Sequence, residues 1–316
     1  MKMVDYIEGC LPYSKVINAL DDAFKLDIKC PIRHHHHLHV PGKKEATLLL
    51  MPAWLEGEYL GVKQVSVFPS NSEAGIPGLN SIYILSSAMT GEPLAQFDGN
   101  IITSRRTAAA AALGARYLSR EDSKRLLMVG AGKVASQVIP AMCNVRQIDE
   151  IQIFDIYPES AERLAKQVNE VLGIKATVVA QEELSKAVSW ADIVSCATLS
   201  QEPLIKGEWV TPGTHVDLIG SFTPAMREAD DALMKKAYVF ADFKEAALTE
   251  TGDFISPIEN GAITTDDILG DFFSLSRGEH QGRSQLENSD QAVTVFKAVG
   301  SSVEDLATAK LWFEAL

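Results

Sequence analysis

The sequence predicts an α/β protein: a doubly wound parallel sheet joined to an α+β domain formed from both chain ends. Three observations carry this. Between Arg125 and Ala241 short apolar runs alternate with helix-length stretches. Before Arg120 short apolar runs follow one another, separated by turn residues, and then give way to one long alanine-rich helix. After the last alternating run a final helix, Ser302 to Leu316, lies beyond the sheet and is expected to return to the N-terminal part.

Taken in order, Asp5 to Leu26 has the pattern of an amphipathic helical region. Ala46–Pro52, Tyr59–Phe68 and Ser81–Ser87 are rich in branched and aromatic residues and predict strands. Thr90–Pro93 is a turn before a further run, Leu94–Phe97. Thr103 opens a helix over Arg106–Tyr117, with Ser and Thr side chains available to cap its head. Past Ser119–Asp122 the grammar changes. Strands are predicted at Arg125–Gly130, Glu150–Asp155, Ala176–Ala180, Asp192–Ala197, Thr214–Ile219 and Ala237–Ala241, with helices at Lys133–Val145 and Pro158–Leu172. Strands alternating with helices build a parallel sheet covered on both faces. The expected sheet domain spans 120–285, and the other domain takes 1–119 and 286–316.

Composition narrows the function classes. The 316 residues are 46% hydrophobic and 22% charged, which suits a globular protein, and the net charge is -13. Such a surface repels nucleic acid and anionic lipid, so neither is an expected partner. No apolar run approaches the ~18 residues of a membrane span, and no apolar leader follows Met1. Cys10, Cys30, Cys143 and Cys196 share no CxxC spacing. They read as thiols of a reducing compartment, so a cytoplasmic location is expected.

The motif with chemical content is Gly130-Ala131-Gly132-Lys133-Val134-Ala135. It ends an apolar strand and opens a helix, and an acid, Asp155, follows at the end of the next strand. That context makes it a Rossmann dinucleotide fingerprint. Gly130 permits the tight turn, Gly132 lets backbone amides approach a pyrophosphate, and the helix N-terminus supplies partial positive charge. Asp155 is placed to accept both adenosine ribose hydroxyls and to repel a 2′-phosphate. Ile156-Tyr157-Pro158 offers no Arg to neutralise one, so NADH is favoured and NADPH is the alternative. Capping of the following helix is the competing role for Asp155.

Ser104 to Leu118, with its Arg106-Thr107-Ala108-Ala109 core, resembles the corresponding helix of the ornithine cyclodeaminase/mu-crystallin family. Gly61–Lys63, Gly130–Ala135, His215–Asp230, Asp242–Phe254, Thr294–Gly300 and Glu304–Leu306 resemble that family in the same order. Pro31–His36, Leu50–Trp54 and Phe68–Asn71 look most like its Δ1-pyrroline-2-carboxylate reductases, which reduce a cyclic imino acid to L-proline. The resemblance implies a homodimer whose substrate and dimerisation domain is built from both chain ends. It implies that Arg33, Lys63 and Arg106 bind the substrate carboxylate, with Lys63 and Arg106 the catalytic pair. It places Ser81 near the nicotinamide, and Thr107, Thr198, Ile219, Gly220 and Ala298 against the cofactor. Cyclodeaminases of the family carry an Asp in a Gly-Gly-Asp segment where this chain has Gly220-Ser221-Phe222. Loss of that carboxylate argues against a cyclodeaminase and suits a substrate whose nitrogen already lies in an imine ring.

The residue types fit imine reduction. The cofactor carries the hydride; the protein orients the imine and supplies a proton. A guanidinium grips a carboxylate through two parallel hydrogen bonds, and an ammonium adds a point charge. The proton donor is left open between Lys63, a histidine and water. Each cation also has a plainer role open to it: surface charge for Arg33, ion pairing for Lys63, and a structural role for one of the neighbours Arg105 and Arg106. His34–His37 and His39 lack an acidic or thiol partner at ligand spacing, so no metal is expected. They are expected in a loop, with a pocket role open for His35 or His36. Glu245 is a substrate contact or a helix cap, and Cys196 a packing residue. The alternatives are an open-chain amino-acid dehydrogenase acting on a substrate such as alanine, a cyclodeaminase, and a non-catalytic cofactor-binding protein.

Overall fold

The computed structural model describes residues 1–7 and 9–316. In chain order the elements are β1 (Lys2–Val4), α1 (Tyr13–Lys25), β2 (His34–Leu38), β3 (Ala46–Trp54), β4 (Tyr59–Val67), β5 (Leu79–Ser87), β6 (Pro93–Asp98), α2 (Gly99–Leu118), β7 (Arg125–Val129), α3 (Ala135–Met142), β8 (Glu150–Phe154) and α4 (Pro158–Leu172). They continue with β9 (Lys175–Val178), α5 (Leu184–Trp190), β10 (Ile193–Cys196), β11 (His215–Leu218), α6 (Asp231–Lys236), β12 (Tyr238–Ala241), α7 (Lys244–Glu250), α8 (Gly252–Glu259), β13 (Ile268–Gly270), α9 (Phe272–Ser276), β14 (Thr294–Lys297) and α10 (Ser302–Glu314). Among the described residues no helix is long and apolar enough to cross a membrane.

The chain divides into two units, Met1–Arg106 with Ser301–Leu316, and Thr107–Gly300. The first holds a six-stranded sheet in the order β1-β6-β5-β4-β3-β2. Neighbours from β2 to β6 run antiparallel, and β1 adds in parallel to β6. Helix α10 packs on β3, β4 and β5 and against α1. The alternation that buries this face places Lys63 inside with Val65 and Tyr83, because the side chains of alternate strand residues point the same way.

The second unit holds eight parallel strands in the order β13-β12-β14-β11-β10-β7-β8-β9. The chain builds outward from β7 through β8 to β9 and then returns to β10 on the other side. The β7/β10 boundary is therefore the switch point, where the loops after the strands open a crevice. Leu127, Val129, Val194, Val216, Leu218 and Val295 form the buried centre of this sheet. Gly114 of α2 lies against β14, where an added Cβ would sit 2.6 Å from the Phe296 ring.

Several expectations are corrected. The region from Asp5 to Leu26 shortens to α1, which starts after Pro12, while Lys2–Val4 forms an edge strand; residue 8 lies outside the described residues. Helix α2 starts at Gly99, not at Thr103, because Asp98 Oδ1 accepts the amides of Asn100 at 2.7 Å and Ile101 at 3.3 Å. Ser104 then lies inside the helix and donates back to the Asn100 carbonyl at 2.8 Å. His34–His37 is strand β2, paired with β3, rather than a loop. The unit limits also differ from 119/120 and 285/286. Strand β14 is an interior strand between β11 and β12 of the large sheet, so the chain leaves that unit only after Gly300.

Candidate active site

In the second unit the strand ends set up the crevice. Val129, Cys196, Leu218 and Lys297, the last residues of β7, β10, β11 and β14, stand in one register row. Gly130, Thr198, Ile219, Gly220 and Ala298 follow within two residues of those ends, so the structure gathers these sequence-predicted positions along one edge of the sheet. Gly130 has φ 97°, which only glycine adopts readily, and a Cβ there would lie 2.5 Å from the Ala197 carbonyl oxygen. The turn thus brings the β7 and β10 loops into contact. Gly132 and Lys133 are exposed, and a Cβ on Gly132 would meet nothing within 4 Å. Open backbone before the first turn of α3 suits a pyrophosphate. Val134 is half-buried, and Ala135, the first residue of α3, is fully buried.

Asp155 follows β8. Its Oδ2 accepts the Ala131 amide at 2.6 Å and its Oδ1 accepts the Tyr157 amide at 2.8 Å. The carboxylate therefore braces the glycine turn and the approach to α4 at once. It stays partly exposed, and each oxygen keeps a further acceptor direction, as a ribose diol would require. The crevice residues fit a dinucleotide. Cys196 is buried, and burial pushes its thiol well above the usual range, so it is packing and not a nucleophile.

The first unit holds a charged cluster of its own. Lys63 of β4 donates from Nζ to Asp305 Oδ1 at 2.7 Å. Arg106 of α2 donates from Nε to the same oxygen at 3.1 Å and from Nη1 to Glu304 Oε2 at 2.9 Å. Lys63 and Asp305 are 1% and 0% exposed as side chains, so the interaction sits out of water. Glu304 has a second task in the capping box of α10, where its Oε1 accepts the Ser301 amide at 3.1 Å and the Ser301 hydroxyl at 3.0 Å. Burial is the largest influence on Lys63 and lowers its pKa to about 7; Asp305 opposes the fall, while Arg106 and Arg33 add to it.

Arg33 is thus near enough to Lys63 for its charge to be felt, and it lies half-buried before β2. His35 is exposed on β2, and partial burial and then Arg33 lower its pKa. Ser81 of β5 shares the buried face with Tyr83, which pairs with Lys63 across the β4–β5 ladder. It lies directly beneath Gly99, the first residue of α2. Ser81 Oγ, Tyr83 Oη and Asp305 Oδ2 are all buried with no hydrogen-bond partner among the described residues. Buried polar atoms are almost always satisfied, so orphans beside a Lys and an Arg mark a place for a polar ligand or water. Thr107 is half-buried and stands at the change of unit, one residue past Arg106. Glu245 is exposed in the first turn of α7.

Sequence reasoning found the cations and missed their partners. The Ser301-x-x-Glu304 capping signature was available as a signal for Glu304; for Tyr83 and Asp305 nothing in the spacing singles them out. Among the described residues no three His, Cys, Asp or Glu side chains converge as a metal would need.

Known proteins resemble the chain along its length. A Δ1-pyrroline-2-carboxylate reductase from Paracoccus denitrificans is 39% identical over 85% of this chain and 83% of its own. The structure of Thermococcus litoralis Δ1-pyrroline-2-carboxylate reductase in complex with NADH and L-proline matches with a TM-score of 0.90 at 33% identity, covering 100% of this chain and 97% of that one. An archaeal alanine dehydrogenase dimer with bound NAD matches with a TM-score of 0.88 at 30% identity, covering 99% of this chain and 94% of that one. Matched from residue 1 to residue 316, the chain belongs to the ornithine cyclodeaminase/mu-crystallin family.

Proposed function

We propose that the protein reduces Δ1-pyrroline-2-carboxylate to L-proline with NADH, and accepts the six-membered Δ1-piperideine-2-carboxylate, giving L-pipecolate. The carrying observation is the buried Lys63 held at 2.7 Å by Asp305, with Arg106 on the same carboxylate oxygen. The Paracoccus and Thermococcus relatives support the reaction, and the NADH of the Thermococcus complex supports the cofactor.

Gly130, Gly132, Lys133, Val134 and Asp155 hold the dinucleotide, with Thr107, Thr198, Ile219, Gly220 and Ala298 against it. When bound, its nicotinamide supplies a hydride to the imine carbon. The chain supplies the rest. Arg33 and Arg106 take the substrate carboxylate, and that anion is favoured by three cations in one neighbourhood. Lys63, with its pKa near 7, gives its proton from Nζ to the imine nitrogen as the carbon is reduced. The C=N double bond becomes a C–N single bond, the nitrogen gains N–H, and Lys63 is reprotonated from solvent. Ser81 and Tyr83, with unused hydroxyls, border this place.

A homodimer in a reducing compartment, the cytoplasm, is the proposed setting. The exposed edge strand β2, with exposed Ile32, Leu38, Leu79 and Ile82, supports association, and four unpaired thiols support the compartment. The test is NADH oxidation by purified protein with each cyclic imine, against pyruvate plus ammonia and against ornithine with NAD. Faster turnover of a cyclic imine is expected. Preference for pyruvate plus ammonia would make it an alanine dehydrogenase; ammonia release from ornithine would make it a cyclodeaminase.

A further inference from the structure

We infer that Glu228 is a positioning residue of the cofactor crevice, a buried carboxylate that locks the loops after β10 and β11 in register. Its Oε1 accepts the Thr198 amide at 2.8 Å and the Thr198 hydroxyl at 2.9 Å. Its Oε2 accepts the Gly220 amide at 2.7 Å. One side chain therefore ties together two loops that leave neighbouring strands. A Cβ on Gly220 would lie 1.9 Å from the Thr198 carbonyl oxygen, so the loops touch at this point. The β10 loop in turn touches Gly130 through Ala197. Glu228 thus holds the β10 and β11 loops directly and reaches the β7 loop only through Ala197.

The carboxylate is 0% exposed, and such a burial is costly unless charge and hydrogen bonds offset it. Both are present. The Glu228 amide donates to Asp253 Oδ1 at 2.8 Å, and the Ala229 amide donates to the same oxygen at 3.1 Å. Asp253 Oδ2 stands 3.3 Å from Lys297 Nζ, and Lys297 also donates to the Leu218 carbonyl at 3.0 Å. The Leu218 carbonyl accepts the Ala298 amide at 3.0 Å as well, which links the β14 loop to the same assembly. All the atoms of this strut belong to the second unit, and the Glu228 side chain acts through Thr198 and Gly220 without itself needing to touch the cofactor.

Glutamine is nearly the same size but cannot do the same work. Its amide nitrogen only donates, so it would face either Thr198 or Gly220 with donor against donor. The inference rests on the dinucleotide reading of the crevice, but its test separates from that reading. The intact protein without cofactor is followed by hydrogen–deuterium exchange resolved to single amides by NMR. The Thr198 and Gly220 amides are expected to exchange at least ~10-fold more slowly than those of the adjacent Leu199 and Ser221, and to lose that protection in Glu228→Gln. In parallel, NADH titration by fluorescence is expected to show a dissociation constant raised about 10-fold in Glu228→Gln, with KM for NADH rising more than kcat falls. Asp230→Ala is the control for plain destabilisation, because Asp230 Oδ1 also accepts two backbone amides, Leu233 and Gly207, each at 2.9 Å but at the cap of α6, and alanine removes both bonds. It is expected to lower Tm with NADH affinity within ~2-fold. Should Glu228→Gln fail to fold, Thr198→Val removes the hydroxyl's bond to Glu228 and the one it accepts from the Ser200 amide at 3.3 Å, and is expected to speed exchange of the Gly220 amide as well as to weaken NADH about 3-fold. Fast exchange of both amides in the unaltered protein, or NADH affinity lost in Asp230→Ala as much as in Glu228→Gln, overturns the inference. Amides protected by Glu228 in a protein that binds no NADH would uphold the strut and sink the proposed function instead.

Discussion

Lys63 concentrates the proposed chemistry. Its ammonium is out of water, so burial favours loss of the proton, while Asp305 favours keeping it. With a pKa near 7 the sign follows: Lys63 is an acid below about 7 and has lost the proton it must donate above it. kcat/KM for the imine is therefore expected to fall as pH rises through 7. Asp305→Asn removes the influence that holds the proton on, and leaves Arg106 and Arg33 repelling it. The descending limb should move at least ~1 pH unit lower, which at pH 8 is a further loss of about 10-fold, read from a pH–rate profile. An unmoved limb would assign the proton to another group. This residue-scale picture was half legible. Lys63 and Arg106 stood out as cations in family-like stretches, but a carboxylate nearly 200 positions from Arg106 and further still from Lys63 shows no local spacing. The pairing exists only because α10 packs on β4.

Elements were the most legible scale, and their errors have local causes. The strands β3 to β8 and the helix α4 could be read because branched and apolar runs end at Gly, Pro or Asp. The head of α2 was misplaced because Asp98 caps better than the Ser and Thr residues that follow it. Histidine has no strong strand preference, so the run His34–His37 predicts a loop on its own; pairing with β3 makes it a strand. The glycine turn gives a sharp prediction. Gly130→Ala places a side chain at φ 97° and against the Ala197 carbonyl, so a cost of about 1–3 kcal/mol in unfolding free energy is expected, together with weaker NADH binding. A thermal melt and a nucleotide titration check both; an unchanged melt would show that the turn is not held in this way. Asp155→Ala frees the Ala131 and Tyr157 amides and removes the proposed ribose acceptor. NADH affinity should drop about 10-fold and the preference over NADPH should narrow, measured as the ratio of the two kcat/KM values.

At the scale of the molecule the sequence foretold two kinds of architecture but drew the border in the wrong place. Nothing in Thr294–Lys297 marks it as an interior strand: it is short, and its role depends on β11 and β12 lying on either side. The return of the last helix to the first unit was legible from its position beyond the alternating elements, and it carries Glu304 and Asp305 to Arg106 and Lys63. A net charge of -13 spread over the chain coexists with a local group of cations, so bulk charge carries an expectation against nucleic acid but none about an acidic substrate.

The most direct measurement is isotopic. NADH carrying deuterium at both C4 positions is incubated with the protein and Δ1-pyrroline-2-carboxylate, and the product is analysed by mass spectrometry and NMR. The account predicts L-proline with one deuterium at carbon 2 and none elsewhere. NADH that binds but leaves the imine unlabelled and unreduced would contradict it.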